Sequence, residues 1–412
     1  MVKKIGLRRH LVRYGIVGLA ALVVSSLSAA VTLQGIARAR APVIAVQYGA
    51  GDALALAELT ARTLPMVRSA EGIDDVESLA RQSLSRSLVN PVAFRVLGEV
   101  AAYRGDNAGA LERHLVAERL SRRDVETQTW LARREVGRGD WASALAHLDN
   151  ALRVRRSSRR TVFPLLAAAL QEPQVAEDMT ELLLRDPPWR DMFLALAASR
   201  AAEPKVLSTI FNRLHDAGKP VPADVAAILI ARLARERHFD LAAQHYRRAT
   251  GRNSGATLRN GGFETPHAVA PFDWDFDRHR DAVVERVHQS GAEGNVALLV
   301  EWADGDEPEL LRQMLALTPG AHRLTGRWFN EDLHRTPAPE WIVQCANGKQ
   351  LGTARPQGPP GEWVSFSTDF VVPEGDCGYQ WVVLTAPLGE LDSHSTVYFD
   401  EIAVLPYGQE RR

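Results

Sequence analysis

The residues able to do chemistry are few, and their spacing excludes most reactions. The 412 residues hold no Gly-rich phosphate loop, no His-Glu-x-x-His and no Gly-x-Ser-x-Gly. Asp273/Asp275 or Asp304/Asp306 could be cast as a glycosidase pair. Carboxylates two apart on one loop do not face each other across a scissile bond, so they read as turn residues. Cys345 and Cys377 are the only cysteines, and no CxxC or Cys/His cluster accompanies them to bind zinc. In an exported chain they read as one disulfide. Arg153-Val154-Arg155-Arg156-Ser157-Ser158-Arg159-Arg160 packs five arginines into eight residues. It is either a docking site for an anionic surface, such as lipid headgroups or an acidic glycan, or a solvated turn.

Two contrasting parts position these residues. Residues 1–250 carry 36 Lys+Arg against 26 Asp+Glu, and residues 251–412 carry 13 against 24, so +10 is followed by −11. Trp274, Trp302, Trp328, Trp341, Trp363 and Trp381 and both cysteines fall in the second part, a shift from helices toward strands placed at 251–255. Before it, Ala and Leu recur at helical spacing and predict six helix pairs between 51 and 250. After it, short β-rich runs separated by Gly, Pro and Asp predict eight strands, at 256–260, 294–302, 308–317, 321–329, 340–346, 362–372, 379–386 and 395–405.

At the N-terminus, basic residues 1–13 precede an uncharged stretch at 14–36, long enough to cross a bilayer once. The basic flank places 1–13 in the cytoplasm and everything after residue 40 across the membrane. A cleaved signal peptide, with Ser28-Ala29-Ala30 as its small residues, is the rival reading, and both export the rest of the chain. Nucleic acid is excluded by that compartment.

The pattern of 94–151 occurs twice, 34 residues apart: Leu97 with Leu131, Gly105-Asp106 with Gly139-Asp140, Ala110 with Ala144, and Ala117 with Ala151. These residues resemble tetratricopeptide repeats, which implies a helical solenoid that docks a partner protein. Farther on, Leu258-Arg259-Asn260-Gly261-Gly262-Phe263-Glu264, then Pro271-Phe272-Asp273-Trp274, and finally Val397-Tyr398-Phe399-Asp400-Glu401-Ile402 resemble the opening and closing strands of a galactose-binding-like jelly roll of the carbohydrate-binding-module kind. The resemblance implies a structural calcium held by Glu264 and Asp400, and sugar rings stacked on Trp274 and Trp328. Trp341 and Trp381, in apolar runs, read as core.

The sequence therefore predicts a multidomain chain: a membrane anchor at 14–36, an all-α solenoid at 45–250 and an all-β jelly roll at 256–410. The expected function is non-enzymatic. An inner-membrane, single-pass scaffold of a Gram-negative periplasm would bind a periplasmic or inner-membrane protein through its repeats and a polysaccharide through its jelly roll, in surface polysaccharide assembly or secretion. The rivals are a purely protein-binding scaffold and an accessory subunit of a glycan-active enzyme.

Overall fold

The computed structural model describes residues 24–26, 28–33, 35–37, 40–48, 52–67, 69–252, 257–265, 269–276, 282–302, 309–331, 339–385 and 395–407. Among them no helix is long and apolar enough to cross a membrane. This corrects the expected single-pass inner-membrane placement. The basic tail and residues 14–23 of the expected span lie outside the described residues. The helical part of it that is described, within 24–37, carries Ser25, Ser26, Ser28 and Thr32, whose hydroxyls break the apolar run, and Thr32 Oγ1 donates to the Ser28 carbonyl at 2.8 Å.

The chain divides into two units, Met1–Val162 and Phe163–Arg412. The first is helical: Pro42–Tyr48, Ala53–Thr63, Ala70–Arg86, Pro91–Tyr103, Asn107–Leu120, Val125–Gly137 and Trp141–Val154. The 34-residue pattern works through caps and small residues. Gly105 and Gly139 take φ of 80° and 77° in the turns, where a side chain would strain the backbone. Asp106 and Asp140 then cap the next helices by accepting from the amides of Gly109 (2.8 Å) and Ser143 (3.0 Å). Ala110, Ala117, Ala144 and Ala151 are buried, so neighbouring helices close on them without a bulky side chain between. Successive pairs are joined by the buried Arg95, which bridges Glu99 on its own helix and Asp124 at the next turn, each at 2.9 Å.

The second unit continues with Pro173–Leu183, Arg190–Leu196, Pro204–Asp216, Ala223–Arg235 and Phe239–Thr250, and then turns to strands. These are β1 (Ala282–His288), β2 (Val296–Trp302), β3 (Glu309–Leu315), β4 (Gly320–Asn330), β5 (Glu340–Cys345), β6 (Gln350–Ala354), β7 (Trp363–Val372), β8 (Gln380–Thr385) and β9 (Ser395–Pro406). They form a five-stranded sheet in the order β1-β2-β9-β4-β7 and a four-stranded sheet in the order β3-β8-β5-β6, with all pairings antiparallel. Alternating side chains from both sheets meet in one core that includes Phe263, Trp274, Trp302, Trp328, Trp341 and Phe399. The Cys345–Cys377 disulfide is present in the four-stranded sheet, spanning 32 positions.

The division does not follow the composition change at 251–255, of which 253–255 lie outside the described residues. The last helix is bonded to the sandwich and so shares its unit. Tyr246 packs on Phe272, and Phe239 packs on Tyr379, whose hydroxyl donates to Asp240 Oδ1 at 2.8 Å.

Candidate functional site

The opening motif is a piece of carpentry. Asn260 closes its own loop, donating from Nδ2 to the Thr265 carbonyl at 2.9 Å and accepting from the Thr265 amide at 3.0 Å. Gly261 accepts from the Ile402 amide on β9 at 3.0 Å. A Cβ there would lie 1.7 Å from the Ile402 carbonyl oxygen, so only glycine lets the first segment reach the last strand. Leu258–Asn260 is not a strand; the buried Gln313 amide takes the place of a neighbour, accepting from the Arg259 amide at 2.7 Å and donating to its carbonyl at 3.0 Å.

Burial corrects both sugar-stacking candidates. Trp274 is 1 % exposed and Trp328 5 %. Trp274 lies against Phe263 and Trp341 and donates its indole N–H to the Asn260 carbonyl at 2.9 Å. Its polar flanks are themselves engaged within the fold. Asp273 points inward, accepting from Tyr246 at 2.9 Å and from the Val269 amide at 3.0 Å, and Asp275 bridges to Arg312. Trp328 alternates inward on β4. Trp341 is core as expected, whereas Trp381 is half-buried, with the Arg312 guanidinium 4.2 Å from its ring.

Glu264 and Asp400 are brought to the same junction, flanking Gly262. Asp400 is fully buried and accepts the Glu293 and Glu401 amides, each at 2.7 Å. Burial raises its proton affinity above the usual carboxylate range against those two bonds. Glu264 is exposed, and the nearby carbonyl oxygens of Phe263 and Glu264 accept from the Arg286 guanidinium, the latter at 2.8 Å. Calcium takes six to eight oxygens, and among the described residues no cluster of three or more His, Cys, Asp or Glu side chains could hold a metal.

Ser208 and His245 approach the geometry of a nucleophile and its base, with Oγ 2.7 Å from Nε2. Both are buried, and no carboxylate among the described residues bonds to His245. Burial, aided by Arg248 and His215, lowers the His245 pKa to about 4, which makes it a poor base at neutral pH.

The surface with the richest chemistry is the outer face of the five-stranded sheet. Register aligns Trp363 on β7 with Phe329 on β4, Phe329 with Tyr398 on β9, and Tyr398 with Leu299 on β2. All point away from the core that Trp328, Phe399 and Leu298 fill from the other face. Trp363 and Phe329 are half-buried with ring centroids 5.6 Å apart; Tyr398, 5.9 Å from Phe329, is buried at 9 % exposure in a second apolar cluster with Ala292, Ala297 and Leu299, against which Phe329 and Trp363 pack. The turn after β1 braces one end: Trp363 donates to the Ser290 carbonyl at 3.0 Å, and Gly291, at φ 79°, leaves the room its ring needs.

Polar groups border these rings. The Arg327 guanidinium lies 5.1 Å from the Trp363 ring and pairs with Glu401 at 3.0 Å. Tyr398 donates to Glu331 at 3.2 Å, and burial, then that carboxylate, pushes its pKa up to about 12, so the phenol remains a donor. Ser365 and Ser367 continue the face along β7. Sequence reasoning missed this row. The available signal was the alternation of β7, which turns Val364, Phe366, Phe370 and Val372 inward and therefore Trp363 outward.

No protein-family model matches the sequence, and no curated protein matches it. Among solved structures, the chain is similar to a family 4 carbohydrate-binding module (17 % identity, covering 36 % of this chain and 99 % of that one, TM-score 0.28). It is also similar to a family 22 xylan-binding domain from Paenibacillus barcinonensis (11 % identity, 37 % and 97 %, TM-score 0.24). A third similar structure is a family 61 module solved with β-1,4-galactotriose (16 % identity, 36 % and 97 %, TM-score 0.25). The C-terminal β-sandwich thus resembles carbohydrate-binding modules, a likeness of fold. The N-terminal part is helical.

Proposed function

We propose that the sandwich is a non-enzymatic glycan-binding element and that the outer face of its five-stranded sheet is the binding surface. The observation that supports this reading is the half-buried pair Trp363 and Phe329 on adjacent strands, backed by the buried Tyr398 and bordered by Arg327, Glu401 and Glu331. Apolar ring faces stack on the C–H face of a pyranose, and the guanidinium and carboxylates hydrogen-bond to its hydroxyls. The rings are set by backbone register and braced from one side, so little ordering entropy opposes binding.

The test compares two tryptophans in the full chain, using xylan and β-1,4-galactan as probes in affinity electrophoresis and calorimetry. Trp363→Ala is expected to weaken binding by about tenfold or more, with a smaller loss of thermal midpoint than a core tryptophan. Trp274→Ala is expected to lose about 3–5 kcal/mol of stability, as a core residue does. Retained binding by Trp363→Ala would remove the proposed surface, and a wild-type chain that binds neither glycan would remove the assignment for these polymers.

A further inference from the structure

The helical unit carries a second polar surface that the sandwich reading does not use. Arg119, Arg122, Arg123, Arg153, Arg155, Arg156 and Arg160 are all exposed at two turns one repeat apart, with Arg122 and Arg156 separated by the 34-residue period. The turns are neighbours in space, because Arg155 in the second pairs with Glu126 in the first turn of Val125–Gly137 at 2.7 Å. The carboxylates at this edge are already engaged: Glu126 by Arg155, Asp149 by Arg153 at 2.9 Å, Asp124 by the buried Arg95, and Glu118 by Gln128 and His147. Five arginines remain without an ion-pair partner among the described residues: Arg119, Arg122, Arg123, Arg156 and Arg160.

Arg119 lies in the last turn of its helix, where a cation is favourable. Arg122 and Arg123 follow the cap of that helix at Ser121 and precede Val125–Gly137, and Arg156 follows the cap of Trp141–Val154 at Arg155 and precedes Arg159–Ala169. Each turn thus joins a helix end that favours a cation to a helix start that favours an anion, and the two effects oppose each other. What distinguishes this edge is the concentration of exposed guanidinium groups without carboxylate partners, which raises a local positive potential that attracts an anionic ligand.

We infer that this arginine edge binds an acidic polysaccharide, a polymer bearing carboxylates along its length. A guanidinium meets a carboxylate through two parallel N–H···O bonds, and a row repeating with the helix pairs matches a chain with repeating charge. The inference stands apart from the sandwich surface and does not need it.

The experiment uses the full chain, with polygalacturonate as the probe and dextran as the neutral control. Wild type is expected to bind polygalacturonate and not dextran, with affinity falling about tenfold or more between 50 and 200 mM salt as the charges are screened. The variant Arg122→Gln/Arg123→Gln/Arg156→Gln/Arg160→Gln is expected to bind about tenfold more weakly, with a flatter salt dependence and an unchanged thermal midpoint, since these side chains hold no partner. Trp363→Ala is expected to bind as wild type does. Equal binding by the quadruple variant would overturn the inference, as would no binding by wild type. Loss of binding in Trp363→Ala would assign the polyanion to the sandwich instead. Tighter binding to phosphatidylcholine vesicles containing phosphatidylglycerol than to polygalacturonate would assign the edge to a lipid surface and equally overturn it.

Discussion

The hydroxyl of Tyr246, on the last helix, donates to Asp273 Oδ1 at 2.9 Å, and both residues are buried. The bond joins a helical hairpin to the loop that carries Trp274 into the sandwich core. Asp273 completes its bonding with the Val269 amide, and Phe272 and the Arg259 guanidinium lie 5.2 and 5.7 Å from the Tyr246 ring. Burial, and next the Asp273 charge, push the Tyr246 pKa up to about 12, so the phenol donates at every physiological pH. The hairpin is therefore part of how the sandwich is held together.

Removing that hydroxyl is expected to be costly. Tyr246→Phe keeps the ring but leaves a buried carboxylate oxygen without its donor, a loss of about 1–3 kcal/mol. A fragment beginning at residue 256 loses the whole hairpin and exposes Phe272 and Tyr379. Its thermal midpoint is expected to fall below that of a 163–412 fragment. Equal midpoints in calorimetry would show that the helices only adjoin the sandwich.

The disulfide prediction concerns the four-stranded sheet. Cys345 ends β5 and Cys377 precedes β8, and the closed loop of 32 positions contains β6 and β7, strands of different sheets. The chain-entropy relation gives a stabilisation of about 3–4 kcal/mol for a loop of that length. Urea unfolding with and without reductant, followed by the sandwich tryptophans, is expected to show a lower midpoint on reduction. Cys345→Ala/Cys377→Ala should reproduce the reduced curve and no longer respond to reductant.

How much of this was legible depended on whether the information lay along the chain or across it. Helix pairs followed from local devices: glycines in turns, aspartates at caps and alanines at the contacts all repeat within 34 residues. Strands β2 to β5 and β7 to β9 followed from β-rich runs. β1 was missed because Glu285 and Arg286 interrupt its pattern, Arg286 turning to the Phe263 and Glu264 carbonyls instead of to solvent. β6 was missed because it is short and holds Gly352, whose bare Cα lets the backbone lie on Phe370. The ring row was invisible for a deeper reason. Phe329, Trp363 and Tyr398 are far apart in sequence and meet only through register, while the polar neighbours of Trp274 concealed a buried residue.

The fit at Glu264 and Asp400 leads to an expectation for metal removal. Arg286 bonds the two carbonyls beside Glu264, and two amides bond Asp400, so the junction between first and last segments is already tied by donors within the chain. Excess EGTA or millimolar calcium is expected to leave the thermal midpoint of the sandwich unchanged, and Arg286→Gln to lower it. A midpoint that rises with calcium and falls with EGTA would show that a cation sits there after all.

The last prediction concerns pH and rests on two buried histidines. His114 stacks on Trp130 with ring centroids 4.0 Å apart, and neither of its ring nitrogens has a hydrogen-bond partner among the described residues. Burial, then Arg95 and Arg133, lower its pKa to about 4, and His245 is lowered likewise to about 4. In the unfolded chain each would titrate near 6.5, so between these values the unfolded state binds more protons and stability rises with pH. The contribution is complete above pH 6.5 and is lost as pH falls toward 4, amounting to about 2 kcal/mol per histidine by pH 5. His114→Phe keeps a ring against Trp130 and removes the proton site. Denaturant titrations followed by the helical circular-dichroism signal at pH 7.5 and 5.0 should therefore show the variant losing less stability on acidification than wild type, by about that amount. Parallel losses in the two proteins would mean that His114 is protonated in the folded state.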